Sequence, residues 1–172
     1  MGVRRLRPLL WLLAVSAVLA ITGCSSEPTL ETKSAAVPAG IDLSGHWRLR
    51  EGSPDAESPR RKDGSLVHVF LETGRTLKIT QTAYGLFISF DRAVVEEYRF
   101  GENREVKVGE ATAKRASGWE GDHYLIETLD DDGALLTETY RLGDGGKTLV
   151  RTIKITHRQQ TRLDVRQTFD RY

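Results

Sequence analysis

The chain has 172 residues, with 25 lysines and arginines against 24 aspartates and glutamates, a formal net charge of +1. That near-balance argues against a nucleic-acid binder held by phosphate contacts, and a single cysteine excludes an intrachain disulfide framework or a multi-cysteine metal site. The length holds one domain with its own core and little room for a second. In chain order, Arg4, Arg5 and Arg7 come first, followed by an apolar run from Leu9 to Ile21 broken only by Ser16. Ile21-Thr22-Gly23-Cys24 then closes the run with small residues. This is the layout of a secretory signal, too short to span a bilayer comfortably, so residues 1–23 are expected to be removed. They carry three of the basic residues and no acidic one, which leaves the remaining chain slightly acidic.

Ile21-Thr22-Gly23-Cys24 resembles the lipobox of bacterial lipoproteins. The resemblance implies that Cys24 is the lipidated first residue of the mature chain, since a thiol can be alkylated by a diacylglycerol and small neighbours admit the peptidase. Each buried methylene of a palmitate-like acyl chain adds about 0.8 kcal/mol of membrane affinity, and three chains anchor stably. Ser25, rather than Asp, follows the cysteine, which by the same resemblance implies sorting to an outer membrane with the domain facing the periplasm. Residues 25–40 hold almost no large apolar side chain, so 24–40 reads as a lipidated cysteine plus flexible tether, and 41–172 as the folded domain.

From Ile41 onward the chain alternates with period two and shows no long helical period. Expected strands cover 44–50, 66–71, 75–83, 86–92, 94–100, 104–117, 122–129, 134–142, 147–157 and 162–169. Turn signals separate them: Tyr84-Gly85, Gly101-Glu102-Asn103, Glu120-Gly121, Asp131-Asp132-Gly133 and Gly143-Asp144-Gly145-Gly146. Such spacing predicts an all-β, antiparallel up-and-down barrel of about 8–10 strands, in which closure removes exposed edges. The connection 51–65 is long for a hairpin and reads either as a mobile solvated loop or as a lid.

Ser44-Gly45-His46-Trp47-Arg48-Leu49 contains a Gly-x-Trp that resembles the lipocalin signature. The resemblance implies that Gly45 permits close backbone approach, that Trp47 plugs the narrow end, and that a late-strand arginine stacks on it, with Arg151, Arg158 and Arg166 as candidates. Trp119-Glu120-Gly121-Asp122, the stretch Thr137 to Leu142, Asp144 to Leu149 and Phe169-Asp170-Arg171 are similar to small secreted lipocalin-like bacterial domains. A Thr-Asp-Tyr second motif is missing, so ligand binding is not inherited from classical lipocalins.

Strand faces supply the candidate site. With 143–146 as the loop, Leu142 faces Lys147, Tyr140 faces Leu149, Glu138 faces Arg151 and Leu136 faces Ile153, all on the apolar face. A three-residue turn at 131–133 sets Thr128 against Leu136, Ile126 against Glu138 and Tyr124 against Tyr140. A turn at Glu120-Gly121 places Arg115 opposite Ile126 and Ser117 opposite Tyr124. The interior is thus expected to hold Arg115, Tyr124, Glu138, Tyr140 and Arg151. Either the carboxylate bridges the guanidinium groups structurally, or a spare positive charge receives an anionic ligand group.

Other motifs fall away. Aligning Gly133 with the glycine of a calcium loop leaves Thr128 and Thr139 where carboxylates are needed, and the four histidines lack metal-ligand spacing. No cofactor and no metal are expected, and no nucleophile set supports an enzyme. The sequence therefore points to a non-catalytic binding or envelope module with a small apolar or anionic ligand. The alternative is a protein-interaction module, such as a periplasmic protease inhibitor or an envelope assembly partner, acting through the tether and the 51–65 loop.

Overall fold

The computed structural model describes residues 29–172, so the expected signal segment and Cys24 lie outside the described residues. Ten strands form: β1 (Gly45–Leu49), β2 (Thr76–Gln81), β3 (Gly85–Phe90), β4 (Val94–Arg99), β5 (Glu102–Val108), β6 (Ala111–Glu120), β7 (His123–Asp130), β8 (Ala134–Gly143), β9 (Thr148–His157) and β10 (Gln160–Arg171). They make one antiparallel sheet in the order β4-β3-β2-β1-β10-β9-β8-β7-β6-β5. Every hydrogen-bonded neighbour is sequential except β1 and β10, so the sheet curls into an up-and-down barrel with its two edges, β4 and β5, facing each other.

Up-and-down winding sorts the connections to two ends. The start of β1, the end of β10 and the turns after β2, β4, β6 and β8 share one end. Trp47 plugs it: fully buried, it donates from Nε1 to Leu43 O at 3.1 Å. Gly45 beneath it has φ +154°, and a Cβ there would lie 3.1 Å from the Arg171 guanidinium. The stacked cation is Arg171, 4.3 Å from the Trp47 ring centroid, and not Arg151, Arg158 or Arg166. The reason is register, because Trp47 pairs directly with Arg171 once β10 runs to the end of the chain.

The other end gathers the remaining turns and the segment 50–75, which lies across it as a cover. Ala56 and Val67 pack with Ala134, Leu136, Ile153 and Ile155, while Phe70 packs with Val106 and Ala113. Expected strand 66–71 is therefore not a strand; it makes one isolated bridge, Arg60 to Leu66, and its apolar residues serve the underside of the cover. Expected strand 104–117 is two strands, because Gly109, at φ +60°, turns the chain with Glu110. These two differences cancel in the strand count.

Two further expectations shift. The turn after β6 is 121–122 and that after β8 is 144–147, so Arg115 faces Thr128, Tyr140 faces Arg151 and Glu138 faces Ile153. Each displacement is two residues, an even number, so every side chain keeps its face. Residues 30–36, expected within the tether, dock on the barrel. Ser34 pairs with Trp119, Lys33 bridges Glu120 and Glu127 at 3.0 Å each, and Asn103 donates to Leu30 O. Gly118 makes room, since a Cβ there would meet Ser34 O at 2.5 Å.

Candidate functional site

The five interior candidates are all buried, yet they divide into three groups. In the first, Arg151 on β9 donates to Glu138 on β8 through both Nε and Nη2, and Nη2 also donates to Glu72 O of the cover at 2.7 Å. Tyr140 donates to the same Glu138 oxygen at 3.1 Å. The guanidinium lies over the rings of Phe90 and Tyr140, 5.1 and 5.5 Å from their centroids. Burial works against the charge of Arg151, but Tyr140 and Glu138 outweigh it and hold its pKa above the ordinary value. Burial also pushes the Tyr140 phenol well above its usual range.

Arg115 belongs to a second group. It donates to Thr128 Oγ1 at 3.3 Å and to Glu96 Oε2 at 3.2 Å, with its guanidinium 5.0 Å from the Tyr98 centroid. Tyr124 belongs to a third, which seals the slot between the two sheet edges. Its hydroxyl donates to Ser117 Oγ at 3.0 Å, Ser117 donates to Glu102 Oε1 at 2.9 Å, and Arg104 holds the other oxygen of Glu102. Trp119 packs edge-on against Tyr124 and Phe100 at that slot.

No positive charge is left over in this arrangement. The two arginines meet Glu138 and Glu96, and a third carboxyl, Glu72, sits close enough that burial and then Glu96 and Glu138 raise its pKa. Each interior arginine is therefore matched by a carboxylate, as a structural pair requires. Around this network Trp47, Phe90, Tyr98 and Phe169 with Leu77, Ile79, Leu86 and Ile88 are large buried apolar side chains, all under 2% exposed.

Sequence reasoning missed His68, Glu72, Glu96 and Glu102. His68 on the cover is fully buried, with Nε2 against Thr128 O at 3.0 Å and Nδ1 without a partner. Burial lowers its pKa, opposed more weakly by Asp130 and the Thr128 carbonyl. Arg151 Nη1 and Gln167 Oε1 are also buried without partners, and these two residues pair directly across β9 and β10. Gln167 donates to Pro54 O at 3.0 Å, so strand side chains hold both arms of the cover by its backbone. Among the described residues, no group of three or more His, Cys, Asp or Glu is placed to hold a metal.

No family model matches the chain, and no curated protein matches it. Solved structures do. A secretory abundant heat soluble protein from Ramazzottius varieornatus superposes with a TM-score of 0.51 at 13% identity, over 75% of this chain and 94% of that one. Lipid binding protein 8 from Caenorhabditis elegans gives 0.49 at 13%, over 76% and 95%. A further Ramazzottius varieornatus protein, secretory abundant heat soluble protein 4, gives 0.48 at 14%, over 84% and 99%. At such identities the likeness concerns architecture alone: the chain is an antiparallel, lipocalin-like up-and-down barrel.

Proposed function

We propose that the chain is a non-catalytic binding module tethered to a bacterial outer membrane through lipidated Cys24, its barrel serving as a rigid scaffold. The observation that carries the scaffold reading is that both interior arginines, Arg151 and Arg115, are each engaged by a carboxylate. A barrel whose interior is spoken for does its binding from its outer surface. The docked strap supports the anchoring geometry. The run from Cys24 to Lys33 reaches at most about 30 Å. On this reading the Trp47 end sits toward the membrane and the covered end points away. Fractionation of the full chain tests the anchor: Cys24→Ser should move it from the membrane pellet to the soluble fraction. An unchanged distribution would contradict lipid anchoring.

A second reading, a small molecule with a polar head held under the cover, draws on the orphaned Arg151 Nη1 and Gln167 Oε1. Native mass spectrometry of the purified protein should then find a stoichiometric adduct that is lost on replacing Arg151 by Met. A single apo mass would speak against it.

A further inference from the structure

At the covered end, the loop 60–66, the turn 158–159 and the start of β10 enclose an open cleft of about 750 Å³. Its cations are Arg60, Arg61, Lys62, Arg158 and Arg162. Its two acids are already engaged: Asp132 pairs with Arg61 at 3.0 Å, and Asp63 accepts from the backbone and hydroxyl of Ser65. Lys62, Arg158 and Arg162 are exposed and make no salt bridge among the described residues. The cleft therefore presents a net positive field.

Three local devices hold those charges in place. The Arg60 to Leu66 bridge, with Arg61 N donating to Ser65 O at 2.7 Å, fixes the basic run in a miniature hairpin. Arg158 and Gln159 turn the chain with φ of 51° and 61°, values that cost non-glycine residues stability. Arg162 is the extra residue where the β9–β10 register shifts between Thr161 and Leu163, a bulge that re-aims its side chain. Strain retained at two neighbouring points around one cleft favours a role for the cleft.

A second, apolar groove lies next to the first, lined by Leu66, Val69, Phe70 and Ala111, and the two share Arg61, Val67 and Asp132. Val69 is 38% exposed in it. The lining of the basic cleft includes no Phe, Tyr or Trp, and His157 is its one aromatic ring, so it offers no broad platform on which successive sugars or bases could stack. Asp130, Asp131 and Asp132 edge the apolar groove, so the carboxylates of an occupant belong in the basic cleft and only its apolar part in this groove. An extended chain with carboxylates beside an apolar residue matches both grooves.

Resting on the binding-module reading, we propose that this paired groove is the docking site for an acidic peptide segment of a partner protein, with an apolar residue of that segment seated against Val69. The probe is a fluorescein-labelled peptide of four glutamates followed by Gly-Leu-Leu, titrated by anisotropy against the full chain in detergent. The expected result is saturable binding that weakens as salt rises. The double variant Lys62→Glu/Arg162→Glu should lower affinity by about tenfold or more. Val69→Asp should weaken binding several-fold, and Lys154→Glu, an exposed cation off the cleft, should leave it unchanged. Circular dichroism confirms that each variant is folded. No binding by the folded wild type, equal binding by the double variant, or preference for phosphatidylglycerol vesicles over the peptide would each overturn the proposal. Membrane retention through Cys24 is read separately, so failure here leaves the anchoring result intact.

Discussion

The fully buried His68 ring meets the Thr128 carbonyl through Nε2 and packs edge-on against Phe70, with the charges of Asp130 and Glu138 near enough to act on it. Burial lowers its pKa below the ordinary value of about 6.5, so the folded protein holds it neutral where the unfolded chain takes up a proton. A depressed folded pKa contributes stability that is present above the unfolded pKa and is lost as pH falls toward the folded one. Glu72 acts in the opposite sense because its folded pKa is raised, so the comparison must be made against a variant. Between about pH 7.5 and pH 5.5, wild type should lose stability relative to His68→Gln, read as urea midpoints. Parallel midpoints at both pH values would place His68 in contact with solvent. The pairing of Tyr124 with Tyr140 was legible from the turn 131–133 alone, since that turn has the length the sequence spacing implies. Arg171 was not, because its partner is set by a β1–β10 contact that spans nearly the whole domain.

Two elements carry predictions of their own. The turn 158–159 joins β9 and β10 with two residues at positive φ, neither of them glycine. Gln159→Gly should stabilise the barrel by about 1 kcal/mol, measured by thermal or urea unfolding, because glycine adopts that conformation without a Cβ clash. The strap 30–36 rests on the missing side chain of Gly118. Gly118→Ala would set a Cβ 2.5 Å from Ser34 O and 2.7 Å from Lys33 Cβ. It should cost about 1–3 kcal/mol and speed hydrogen exchange at the Ser34 and Trp119 amides. Unchanged exchange would mean that the strap is not docked there. A lone glycine inside an alternating strand is the signal that could have revealed this contact, because it marks close approach of another backbone. The polar composition of 25–40 hid it, as the strap is held by backbone pairing and one lysine rather than by apolar burial.

At the scale of the whole molecule, period-two alternation exposed nearly every strand because one face of the sheet is buried throughout. It misread 66–71, where Val67 and Phe70 are apolar for a different reason: they floor the cover. The even register shifts after β6 and β8 preserved the interior set while changing who touches whom. The slot between β4 and β5 is bridged by side chains, with the hydroxyl oxygens of Ser117 and Tyr124 lying 3.0 and 3.4 Å from Arg99 O. A barrel closed in this way and filled with a balanced ion pair behaves as a scaffold, and that is what a double-mutant cycle on Glu138 and Arg151 tests most directly. Each single replacement, Glu138→Leu or Arg151→Met, should cost about 3–5 kcal/mol by leaving a buried charge alone, while the double variant should recover most of the loss. Singles that leave the denaturation midpoint unchanged, or a double variant no better than their sum, would contradict the pair as the barrel's internal brace.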